Sequence, residues 1–248
     1  MCIRDRFNIF KRLVFSRPLK ALKLSELNTN VELKNVYFFA IPVIIGLIIG
    51  FFIISTEDNT DQKVTLFTKE KLLENSPPII GDKNAKITIL EFGDYQCTFC
   101  YKFHQQTLDS IKESYISTGK VNYTYKDFPL NGIDSVLAAE ASLCAEEQGK
   151  YWDYHNTLFN NWAGERTGWI TDNLLLEFAE QNNMDVEDFT ECVNNQKYKQ
   201  RVIENQNFAK SVGISATPSF LIFNDEKLIR IIGAQPIEKF DDAIKQMN

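Results

Sequence analysis

The sequence predicts an α/β fold in which a small sheet is interrupted by an all-helical insertion, preceded by a single N-terminal transmembrane helix. Three observations predict it. Residues 36–54, VYFFAIPVIIGLIIGFFII, carry no charge. Residues 86–128 read strand, helix, strand, with Cys97 and Cys100 where the first strand meets the helix. From about residue 131 to 212 the signals are helical, and strand signals return only after them.

The nineteen residues of the uncharged run rise about 28 Å as a helix, close to the hydrocarbon thickness of a bilayer. As a buried globular helix the run would need a larger core than this chain can build around it. Pro42 is no obstacle in a membrane helix. Residues 1–35 hold eight basic and three acidic side chains, a net of +5, so the total of −6 leaves −11 for residues 36–248. The basic flank puts residues 1–35 in the cytoplasm and the body outside. A cleaved signal peptide would have a shorter apolar core and a small-residue site, whereas this run leads into STEDNT, so the expectation is an uncleaved anchor. An acidic body lacks the basic footprint that nucleic acid requires. The opening MCIRDR has the form of a translated sequencing-adapter remnant, and Cys2 is set aside with it. Four cysteines remain beyond the span, an even number on a side of the membrane where disulfides persist.

Residues 55–76 are a polar tether containing a short amphipathic piece, helix or edge strand. SPPIIGD is a stiff entry loop punctuated by Pro77, Pro78 and Gly81. The β-branched run KITILEF, residues 86–92, fits a buried strand. Residues 101–117 continue as a helix that Gly119 ends, and residues 120–128 alternate Val121, Tyr123 and Tyr125 with strand periodicity. In the helical block Asp134, Thr171 and Asp185 are the expected N-caps. Leu137, Ala141 and Cys144 share one helical face, and Phe189, Cys192 and Val193 share another. SFLIFN and LIRIIG form a hairpin around residues 224–227, and Pro236 opens a last helix.

The chemistry rests on the cysteine pair. Haem attachment needs a histidine directly after the second cysteine, and Tyr101 stands there. Zinc needs four ligands, usually from a second close pair, and Cys144 and Cys192 are isolated. A purely structural disulfide across so tight a loop gains little chain entropy. Redox exchange fits best. A thiol at a helix N-terminus faces free backbone N–H groups and the positive end of the dipole, which favours its thiolate. That selects Cys97 as the exchanging thiol and Cys100, one turn further in, as the resolving one. His104 is read as a structural residue facing solvent, and His155 as a packing residue of the aromatic helix.

LEFGDYQCTFC, KDFPL, CAEEQGKYWDYHNTLF and GISATPSFLIF resemble, in order, four motifs of the DsbA family of thiol-disulfide oxidoreductases. The likeness runs from about residue 77 to the C-terminus. It implies a thioredoxin-like fold over residues 77–248 with its helical insertion at about 131–212. It also implies a cis peptide bond at Thr217–Pro218 beside the cysteine pair, where the backbone pairs with an extended substrate. By the same likeness Glu91 is a buried acid that moves the proton of Cys100, and Cys144 and Cys192 form a structural disulfide, two buried free thiols being the alternative. Thr98 and Phe99 depart from the family, which commonly has proline after the first cysteine and, in its strongest oxidants, histidine before the second. A milder oxidant is expected.

The implied activity is the introduction of disulfides into thiol-bearing, extended or unfolded secreted and surface proteins. The enzyme would be reoxidised by a membrane partner of the DsbB or vitamin K epoxide reductase type. No organic cofactor and no metal is implied. A reductase or isomerase of the same fold is the nearest alternative, and a non-catalytic peptide-binding module a more distant one.

Overall fold

The computed structural model describes residues 68–247. The basic tail, the apolar span at 36–54 and the first part of the tether, to residue 67, lie outside the described residues. Among the described residues no helix is long and apolar enough to cross a membrane.

The tether ends in a short helix, α1 (Lys69–Leu73), whose Thr68 side chain accepts from the Lys71 N–H. After it Ile80 exchanges both backbone hydrogen bonds with Tyr123, at 2.8 and 3.0 Å, and so covers the outer edge of a strand. The sheet has four strands: β1 (Ile87–Gly93), β2 (Val121–Asp127), β3 (Ser219–Phe223) and β4 (Leu228–Ile232), in the order β2-β1-β3-β4. β1 and β2 are parallel, and the β1/β3 and β3/β4 pairs are antiparallel. Between β1 and β2 runs α2 (Thr98–Gln106), followed by α3 (Leu108–Ile111) and a π-helical turn (Lys112–Ile116). One continuous helix over 101–117 was expected. The structure starts the helix at the cysteine pair as expected, with Cys97 as N-cap, but breaks it at Thr107, whose hydroxyl donates to the Gln235 carbonyl at 3.2 Å.

Five helices separate β2 from β3: α4 (Ile133–Glu147), α5 (Tyr151–Asn160), α6 (Asp172–Gln181), α7 (Val186–Asn194) and α8 (Lys199–Ser211). The last helix, α9 (Ile237–Gln246), has Pro236 as its N-cap. Thr171 and Asp185 cap α6 and α7 through their side chains. Asp134 does not cap α4. Gly132 does, at φ +107°, because the chain leaves β2 through a loop whose Leu130 and Asn131 N–H groups are taken by the Asp94 carboxylate. Asp134 lies instead in the first turn, where its charge still suits the dipole.

The strand period of two sorts the core. Ile87 and Ile89 of β1, Val121 and Tyr123 of β2 and Phe220 of β3 pack on the face covered by α2, α3 and α9. Leu90, Phe92, Leu221 and Phe223 pack on the other face against Leu72 of α1 and Ala209 of α8. Phe103, Phe220 and Phe240 meet at ring-centroid distances of 4.5, 5.0 and 5.6 Å, each pair contributing about 1 kcal/mol beyond its buried area. β2 is buried along its whole length, because the segment before β1, whose Asp82 and Pro77 carbonyls accept from the Asn122 and Thr124 side chains, and α8 close the face that an alternating strand would leave wet. Lys126 is drawn in too, donating to the Glu74 carbonyl and lying 3.5 Å from Asn205 Oδ1, which ties α1 and α8 to the sheet.

Candidate functional site

The cysteine pair sits where β1 stops. Gly93 ends the strand, and only a residue without a side chain fits there: a Cβ would come within 2.5 Å of the buried Tyr125 ring. Asp94 then builds the turn. One carboxylate oxygen accepts from Gln96 N at 2.8 Å, and the other accepts from Leu130 N and Asn131 N at 2.7 and 2.8 Å. Gln96 in turn binds the insertion, donating to Ser135 Oγ at 2.8 Å and accepting from Arg166 N at 2.9 Å. Its carbonyl accepts from the Trp162 indole at 2.9 Å, and Trp162 stacks on Tyr101 at 4.6 Å. The cysteines are therefore gripped from the sheet and from the helical block at once.

Cys97 is the N-cap of α2, with extended backbone. Its thiol lies against the Thr217 carbonyl at 3.4 Å, and the Thr217–Pro218 peptide bond is cis. Thr217 is half-buried and Pro218 buried, with the Pro218 carbonyl taken by Gly233 N at 2.8 Å. Both cysteines are in the dithiol form. Cys97 keeps 5% of its surface exposed and Cys100 none, while Phe99 between them is 56% exposed. Both cysteines are buried, Cys97 being the nearer of the two to the surface.

The environment splits the two acidities. As a thiolate Cys97 accepts hydrogen bonds from the Cys100 thiol, from the Thr217 side chain and from the backbone N–H groups of Cys100 and Phe99, which together outweigh burial and pull it down to about 6. Burial, followed by the hydrogen bond and the charge of Cys97 and the charge of Glu91, pushes Cys100 well above the ordinary thiol value. Glu91 lies on the β1 face shared with Ile87 and Ile89, under α2, and is 2% exposed. Burial raises its carboxyl to about 8, against the hydrogen bond that Tyr123 donates and with the Cys97 charge adding to the rise. Tyr123 is a site residue that sequence reasoning missed. The signal was present: with β1 and β2 parallel, the alternation Val121, Tyr123, Tyr125 faces the same way as Ile87, Ile89, Glu91.

Neither histidine joins this chemistry. His104 was expected to face solvent, and the structure corrects that. It is 8% exposed, stacked on Phe159 at 4.7 Å, with Nε2 3.2 Å from Asn156 Oδ1, and burial pushes it down to about 4. His155 is fully enclosed by aromatic rings, with Nδ1 3.0 Å from the Tyr95 hydroxyl, and burial holds it neutral. Cys144 and Cys192 are bonded to each other, joining α4 to α7 with Cα atoms 5.9 Å apart. Among the described residues no group of three histidine, cysteine or acidic side chains could hold a metal ion.

A thioredoxin family model matches residues 74–246. The chain is 26% identical over 199 residues to the "Probable disulfide bond formation protein D" of Bacillus anthracis, covering 79% of this chain and 88% of that one. Its fold superposes on oxidised BdbD from Bacillus subtilis with a TM-score of 0.64 at 25% identity, covering 71% of this chain and 94% of that one. Against Wolbachia pipientis alpha-DsbA1 the TM-score is 0.64 at 29% identity, with 73% and 96% covered.

Proposed function

Since this chain belongs to the thioredoxin family and is a DsbA-like thiol-disulfide oxidoreductase, we propose that it is a dithiol oxidase, anchored by residues 36–54 with its catalytic domain outside the cell membrane. Its substrates are extended or unfolded proteins bearing thiols. In the oxidised enzyme a substrate thiolate attacks Cys97 Sγ, and the Cys97–Cys100 bond breaks. The electron pair leaves on Cys100, which takes a proton from Glu91, its carboxyl held protonated by burial. A second substrate thiolate attacks the substrate sulfur of the mixed disulfide, and Cys97 departs as a thiolate. Two electrons have passed to the enzyme, and the substrate holds a new disulfide. A membrane partner of the DsbB or vitamin K epoxide reductase type then takes the electrons, and a shared membrane raises the effective concentration of the pair.

The observation that supports an oxidase is the placement of Cys97 as N-cap of α2, where backbone N–H groups stabilise its thiolate, with Cys100 fully buried behind it. A thiolate stabilised in the reduced form makes the disulfide more oxidising, and a low leaving-group pKa speeds release of product. The backbone beside Thr217 and the exposed Phe99 offer an extended chain a place to lie. The test is the reduction potential of residues 55–248, equilibrated with glutathione. A value at or above about −180 mV is expected, and one near thioredoxin's, about −270 mV, would reverse the assignment to a reductase.

A further inference from the structure

The loop that follows α5 brings a carboxylate to the mouth of the active site. Glu165 Oε1 accepts from Thr98 N, the first backbone N–H of α2, at 2.7 Å. Thr98 is the residue directly after Cys97. The loop is held on both sides of Glu165: Trp162 is bonded to the Gln96 carbonyl and stacked on Tyr101, and Arg166 N donates to the Gln96 side chain. Glu165 itself is exposed and, among the described residues, forms no ion pair. The neighbouring Arg166 guanidinium turns to the Leu130 carbonyl, 3.4 Å away, rather than to Glu165. The other ionisable groups near this end of α2 are Asp94 in the turn before Cys97, its carboxylate taken by the Gln96, Leu130 and Asn131 N–H groups, Glu91 beneath the helix, which burial keeps protonated, and Lys102 a turn on, whose ammonium lies 5.4 Å from the centre of the Phe99 ring.

A helix start offers a few free N–H groups and a partial positive charge, both favourable to anions. Here two anions share that resource. The Cys97 thiolate uses the N–H groups of Cys100 and Phe99, and Glu165 uses that of Thr98. From this we infer that Glu165 is a positioning and specificity residue. It is a fixed negative charge beside the exchanging sulfur that restrains its ionisation and favours substrate thiols flanked by a cation. A lysine or arginine next to the substrate cysteine would neutralise Glu165 at the moment of attack, whereas an acidic flank would meet repulsion. This inference rests on the exchange reading above and adds to it the class of substrate sequence preferred.

The test uses the full chain and Glu165→Gln, whose side-chain oxygen still accepts from Thr98 N while the charge is gone. Two probes are dithiol peptides identical except for lysine or glutamate beside the cysteines. One charge pair near 6 Å in water changes an equilibrium or rate about threefold, so wild type should oxidise the lysine peptide about tenfold faster at low salt, the preference shrinking at high salt. Glu165→Gln should abolish most of that preference and increase the acid dissociation constant of Cys97 about threefold, read from thiolate absorbance of the reduced protein. Equal rates on both peptides in wild type, or a preference and thiol midpoint unchanged in Glu165→Gln, would overturn the inference and leave thiol exchange standing. The salt dependence of the wild-type preference needs no variant, and its absence counts against the inference equally. Failure of wild type to oxidise either peptide would overturn the exchange reading and this inference with it.

Discussion

Replacing Glu91 with glutamine should make the protein more stable at neutral pH, and by an amount that depends on pH in a set way. Burial raises the folded carboxyl from 4.5 to about 8. A raised acid favours folding fully below its unfolded pKa, and that benefit is lost as the pH rises through the folded value, because the unfolded chain releases its proton first. Between pH 4.5 and 8 stability therefore falls at about 1.4 kcal/mol per pH unit, a deficit of about 3 kcal/mol at pH 7. Glutamine cannot ionise, and its carbonyl oxygen can still accept from Tyr123. The assay is urea unfolding, followed by tryptophan fluorescence, on a Cys97→Ser/Cys100→Ser background that leaves the Cys144–Cys192 bridge intact without reductant. Removing the Cys97 charge trims the shift, but burial, its largest cause, remains. The advantage of the glutamine variant should grow from pH 5 to pH 7 and level off near pH 8. Parallel pH profiles for the two proteins would refute the claim that Glu91 is held protonated in the fold.

Three further outcomes follow from the same geometry. Reaction of Cys97 with iodoacetamide should have its midpoint near pH 6; Cys100→Ala, which removes the largest stabiliser of that thiolate, should move the midpoint toward 9, and an unmoved midpoint would contradict the assignment. Cys144→Ala/Cys192→Ala opens a loop with a sequence separation of 48 and should cost about 4 kcal/mol on the chain-entropy model, read as a lowered urea midpoint. Gly93→Ala forces a methyl group against the buried Tyr125 ring and should destabilise by about 1–3 kcal/mol; a variant as stable as wild type would show that the β1–β2 contact is looser than described.

The sequence by itself determined the features whose cause is local. The β-branched runs that became β1 and β3, the caps at Thr171 and Asp185, and the cysteine pair at a helix start are all set by residues a few positions apart. Neighbouring side chains and the backbone itself decide such features. The tertiary structure decided the contacts that cross the chain. Tyr123 meets Glu91 across 32 positions because β1 and β2 are parallel and in one register, Glu165 reaches Thr98 across 67, and Thr217 reaches Cys97 across 120. His104 turned inward because α5 covers its side of α2, supplying Asn156 and Phe159, which no spacing within α2 could reveal. Spacing fixes which face a side chain takes on its own element, whereas burial, and with it the acidity of each thiol and carboxyl, depends on what another element lays over that face.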